Sequence, residues 1–134
     1  MPHTIEWQIP DRLLLIQVYG HMTTDEPELI TDTAFAMVTT AKHTVHAIVD
    51  LKHLEHFPMS LNLITTKRTQ NRHPNQGLTL LVHPNINPVL RYVMETIFRA
   101  GRWEYAIVRS VDEAMALLNK RDKHIPTVDE GASV

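Results

Sequence analysis

The 134-residue chain has no cysteine, which excludes a disulfide scaffold, a thiolate zinc site, an iron–sulfur cluster and a cysteine nucleophile. Four glycines are too few for a glycine-built phosphate cradle, and neither a P-loop nor a Gly-x-Gly-x-x-Gly run is present. No serine stands in a Gly-x-Ser-x-Gly elbow. Aromatic residues make up 6% of the chain and do not interleave with the basic ones, which disfavours nucleic acid as a partner. A formal net charge of −2 points the same way. The longest apolar runs are about five residues, against the roughly 20 needed to cross a bilayer. The opening Met-Pro-His-Thr-Ile-Glu lacks the basic-then-apolar order of a signal peptide. Together these absences predict a single cytoplasmic domain that is not transmembrane.

What is present is an alternation of two hydrophobic periods. Ile5, Trp7 and Ile9 alternate with Glu6 and Gln8, as in a half-buried strand. Pro10-Asp11 then reads as a two-residue turn into a second strand, Leu13–Tyr19, bounded by Gly20, so these two strands are expected to be antiparallel neighbours. Val45–Asp50, Leu78–Val82 and Tyr105–Val108 are further short apolar runs of the kind that suits strands covered on both faces. Between them the period becomes helical. Ile30, Ala34, Met37, Val38 and Ala41 form one stripe, with Thr23 or Thr24 as N-cap. Leu61 and Ile64 mark a shorter helix that Ser60 could cap. Val89, Leu90, Val93, Met94, Ile97 and Phe98 follow Pro88 and stop at Gly101. Ser110-Val-Asp-Glu113 is a capping box ahead of Val111, Ala114, Met115, Leu117 and Leu118.

The order β-β-α-β-α-β-α-β-α predicts an α/β fold with a mixed sheet of about five strands and an antiparallel first strand. Residues 1–120 form the domain. From Arg121 the pattern loses periodicity, so 121–134 is expected to be a flexible C-terminal tail.

Three segments resemble the STAS-like domains, the family of sulfate-transporter domains and anti-sigma-factor antagonists. They are the opening strand pair ending in Tyr19-Gly20-His21-Met22-Thr23, the stretch Ala47–Leu54 with its Asp50-Leu51, and Tyr105–Ala114 with its Ser-x-x-Glu-Ala ending. The likeness spans residues 5–119. It implies a STAS-like fold and a bacterial regulatory or protein-binding module without catalysis. In anti-sigma-factor antagonists the loop after the central strand carries a phosphorylated serine in an Asp-Ser-Ser-Gly type motif. Here, aligned from Asp50-Leu51, Pro58 falls at the aspartate and Met59 at the acceptor, and only Ser60 matches a serine. A thioether accepts no phosphate, so the phosphoswitch is lost unless Ser60 has taken it over.

Ligands of open α/β sheets bind beyond the carboxyl ends of the parallel strands. That rim is expected to carry His21, Asp50 with His53, His83 with Asn85, and Arg109 with Ser110, each just past a strand. It could hold an anion, a nucleotide or a lipid head group, or it could be solvated loop polarity. His43, His46, His53 and His56 suggest a metal repeat, but a strand divides them into two pairs and no metal is assigned. No cofactor is expected. Residues 1–60 hold eight acidic and three basic side chains, and residues 61–134 hold seven and ten. Such a dipole suits docking of one copy on another. Tyr92 and Trp103 could lie in a contact or pack against the core. The expected function is a non-enzymatic, self-associating STAS-like interaction module. The second expectation is a small-ligand sensor using the strand-end rim.

Overall fold

Proline and a left-handed residue make the first turn. Pro10, Asp11 and Arg12 close a hairpin in which Ile9 pairs with Leu13, Asp11 has φ 61° and the Arg12 amide donates to the Ile9 carbonyl at 3.0 Å. The loop thus has three residues where the pattern suggested two. A β-bulge between Trp7 and Ile9 absorbs the extra residue. The structure, a computed structural model, describes residues 3–23, 25–56 and 74–122.

Five strands build one sheet: β1 (His3–Ile9), β2 (Leu13–His21), β3 (Val45–His56), β4 (Gln76–Val82) and β5 (Glu104–Val108). Their spatial order is the sequence order, with β1 antiparallel to β2 and the other pairs parallel. Three helices are described: α1 (Glu26–Thr40), α2 (Pro88–Ala100) and α3 (Val111–Arg121). This is the mixed α/β sheet that the sequence predicts. The short helix expected around Leu61, together with Ser60 and residues 123–134, lies outside the described residues.

Alternation along the strands sorts the core into two sides. Ile16, Val18, Leu51 and Leu81 pack with Ile30 of α1 and with Leu90, Val93 and Phe98 of α2. Leu14 and Val45 extend that layer under Val38 and Ala41. On the opposite side Leu13, Ile48, Leu78, Leu80, Val82 and Val108 meet Ala114 and Leu118 of α3. Strand β4 is therefore covered on both faces, and Leu80 and Leu81 are fully buried. Removing such a leucine from water contributes about 1.5–3 kcal/mol.

The caps explain where the helices begin. Asn87 Oδ1 accepts from the Val89 and Leu90 amides at 2.7 and 3.4 Å, with Pro88 at the first helical position. Ser110 Oγ accepts from the Glu113 amide at 3.1 Å, and the Glu113 carboxylate reaches back to the Arg109 amide at 3.2 Å, one residue earlier than in the standard box. For α1 the N-cap is Asp25, not a threonine. Thr23 instead gives its amide and hydroxyl to the buried carboxylate of Glu26, which His3 also meets at 3.0 Å. Burial pushes that carboxyl up, but these hydrogen bonds outweigh it and hold it below the usual value of 4.5.

Two stripe residues are corrected. Val89 is 58% exposed and Leu117 is at the exposed margin of α3. At 3.6 residues per turn Val89 lies about 100° from the middle of the face set by Leu90, Val93, Met94, Ile97 and Phe98. Arg121 also leaves the expected tail, because it is the last residue of α3.

Candidate functional site

The carboxyl edge of the sheet is uneven. β3 pairs with β4 only as far as Asp50↔Val82, yet it continues to His56 alongside β2. His21, Lys52 and His53, expected in loops, are therefore strand residues. Two irregularities make the extension possible. Gln17↔Asp50 is followed by Tyr19↔His53, so Leu51 and Lys52 together oppose Val18. A second shift separates Gly20↔Leu54 from His21↔His56. Asp50 supports the first bulge: its Oδ1 accepts from the Lys52 amide at 3.1 Å, and its Oδ2 lies 3.4 Å from Lys52 Nζ. Gly20, at φ 59°, accommodates the second in a conformation that favours glycine.

The resulting two-stranded ribbon carries rings on its surface. Tyr19 stacks with His53 at 6.2 Å between centroids and His21 with His56 at 5.7 Å. His21 Nδ1 lies 3.4 Å from Glu55 Oε2, both side chains being largely exposed. The Met22 amide closes the ribbon on the His56 carbonyl at 3.0 Å. Among the described residues no strand pairs with β3 beyond Asp50 on its β4 side, and an unpaired strand edge is a template for pairing with another chain.

His83 and Asn85 belong elsewhere on the edge. The His83 amide donates to Val108, extending the β4–β5 ladder, and its Nδ1 accepts from the Asn85 amide at 3.1 Å. That acceptor role leaves the proton on Nε2 in the neutral ring. Both residues line a depression of about 250 Å³ with Ile86, Arg91, Ile107 and Arg109. Along the strand direction His21 stands roughly 10 Å beyond His83, and it is two strands away across the sheet. The structure thus brings His21 and His53 onto one ribbon and His83 and Asn85 into one depression. Asp50 sits between them, on the α3 side with Ile48. Ser60 lies outside the described residues.

The sequence pattern singled out His46 only as a member of a histidine repeat, not as a buried part of the core. It is 3% exposed; its Nδ1 accepts from the Leu78 amide at 2.9 Å and its Nε2 meets Asp122 at 3.1 Å. Burial pulls its pKa below the usual 6.5, against the opposing pull of Asp122. The ring fits because residue 77 is glycine: a Cβ there would lie 2.4 Å from His46 Nδ1 and 2.9 Å from Thr44 Cγ2. A polar residue inside the apolar run Val45–Val49 was the available clue. Among the described residues no three His, Asp or Glu side chains gather as a metal-holding group, and no helix is long and apolar enough to cross a membrane.

This five-stranded mixed sheet, opened by an antiparallel pair, is a SpoIIAA-like fold, the STAS-like class that the motifs resemble. A solved structure similar to it is that of an uncharacterized protein of the DUF3478 family with a SpoIIAA-like fold, from Shewanella loihica PV-4. The TM-score is 0.52 at 13% sequence identity, over 87% of this chain and 91% of the other. No family model matches the sequence, and no curated protein matches it.

Proposed function

We propose that the chain is a non-enzymatic regulatory module that acts through protein–protein contact, including contact with a second copy of itself, and that the β2–β3 ribbon is the contact surface. The observation that carries this reading is the length of β3. The strand runs six residues past its last β4 partner, and among the described residues no strand pairs with that edge, beside exposed His21, His53 and His56. Open edges recruit strands by main-chain hydrogen bonding, with the flanking side chains setting specificity. The SpoIIAA-like fold supports a binding role, since the anti-sigma-factor antagonists it resembles work by engaging partners. Ser60, four residues beyond the ribbon, is well placed in sequence for a phosphate to alter such a contact.

Light scattering across a concentration series tests the reading. The wild-type chain associates, and Glu55→Pro, at an exposed position of the ribbon, weakens association by at least tenfold while the urea midpoint is kept. A monomer at every concentration, together with no ribbon-dependent capture of another protein, would refute it.

A further inference from the structure

The depression beside β4 and β5 lies where the chain changes sides. The loop after β4 leads into α2, which packs with Leu81, whereas β5 leads into α3, which packs with Leu80 and Val82 on the other face. Adjacent parallel strands whose following helices go to opposite faces leave a crevice at their carboxyl ends, the usual ligand position in open α/β sheets. Strands β2 and β3 instead run on together as the ribbon.

We infer that this crevice binds a phosphate monoester. Among the described residues its lining holds Arg91, Arg109 and His83, and no Asp or Glu. Glu95 accepts from Arg91 Nε at 2.9 Å, which leaves the terminal nitrogens of that guanidinium for a ligand. Glu113 engages Arg109 through its backbone amide, not its side chain. His83 contributes Nε2–H, because its Nδ1 is committed to Asn85. The first amides of α2 are already capped by Asn87, so the side chains carry the recognition. Two guanidiniums match the geometry and charge of phosphoryl oxygens. Pro84, Ile86 and Ile107 supply an apolar floor for the organic group of the ester. The site is distinct from the ribbon and stands whether or not the chain self-associates.

Amide NMR titrations of the full chain with inorganic phosphate and with phenyl phosphate test it. Shifts should map to Asn85, Ile86, Arg109 and Ser110, and phenyl phosphate should bind more tightly than phosphate. Arg91→Ala and Arg109→Ala should each weaken binding by about tenfold, the loss expected for one charge-assisted contact. Arg102→Ala, which removes the same charge in the turn beyond the opposite end of α2, should leave it unchanged. Equal weakening by Arg102→Ala, or shifts scattered over all basic positions, would reduce the effect to charge attraction and overturn the site. Tighter binding of inorganic phosphate than of the ester would overturn the monoester assignment.

Discussion

His46 and His83 occupy opposite ends of the same sheet and show how differently one side chain can be used. At the amino end His46 is buried, both its ring nitrogens are engaged, and it links β3, β4 and the end of α3. At the carboxyl end His83 is partly exposed and uses one nitrogen on its own loop, which frees the other for a ligand. Buried and satisfied, a histidine specifies the fold; exposed and half-satisfied, it is available for binding. The ribbon histidines His21, His53 and His56 fall with His83.

The largest effect should come from breaking the buried end. Gly77→Ala places a methyl group against the His46 ring and Thr44. It should destabilise the protein by about 3 kcal/mol through overpacking and loss of a buried hydrogen bond, measured by urea denaturation. His46→Leu should cost about 2 kcal/mol, because leucine offers the Leu78 amide no acceptor.

The pH dependence sharpens the contrast. The folded pKa of His46 lies below its unfolded value, so the native state binds fewer protons than the unfolded one as the pH falls through 6.5. Its contribution is complete above that point and is progressively lost below it. Glu26 and Glu95 also have lowered pKa values, and their contribution fades in a lower window, beginning near 4.5. For Glu95 the main cause is the Tyr105 hydroxyl, with Arg91 and Arg99 beside it. Denaturation profiles of wild type and His46→Leu should therefore keep a constant separation above pH 6.5 and draw together as the pH falls below it. Parallel profiles would mean that His46 does not control this window.

At the carboxyl end stability should barely respond. His83→Ala and His53→Ala should each stay within about 0.5 kcal/mol of wild type. The first should weaken phosphate-ester binding and the second self-association.

The sequence made the sheet legible because β1 alternates and β2–β5 each hold an apolar run, and the starts of α2 and α3 because Pro88 and Ser110–Glu113 are local devices. The ribbon was not legible. Lys52, His53, Glu55 and His56 have no apolar alternation, and their strand conformation rests on pairing with β2 and on a bulge held by Asp50. The crevice was legible only in part. Periodicity gives a helix its apolar face but not the side of the sheet it covers, so the divergence of α2 and α3 is a property of the assembled fold. His83, Asn85 and Arg109 could be picked out as strand-end residues; Arg91 needed that divergence to become their neighbour.

Hydrogen–deuterium exchange of the full chain at dilute and concentrated conditions tests the central claim, that the ribbon is the contact surface, most directly. Concentrating the protein should slow exchange at Tyr19–His21 and Lys52–His56 and leave the amides around His46 unchanged. Slowing confined to β1 or to the helices, or no slowing anywhere, would contradict the account.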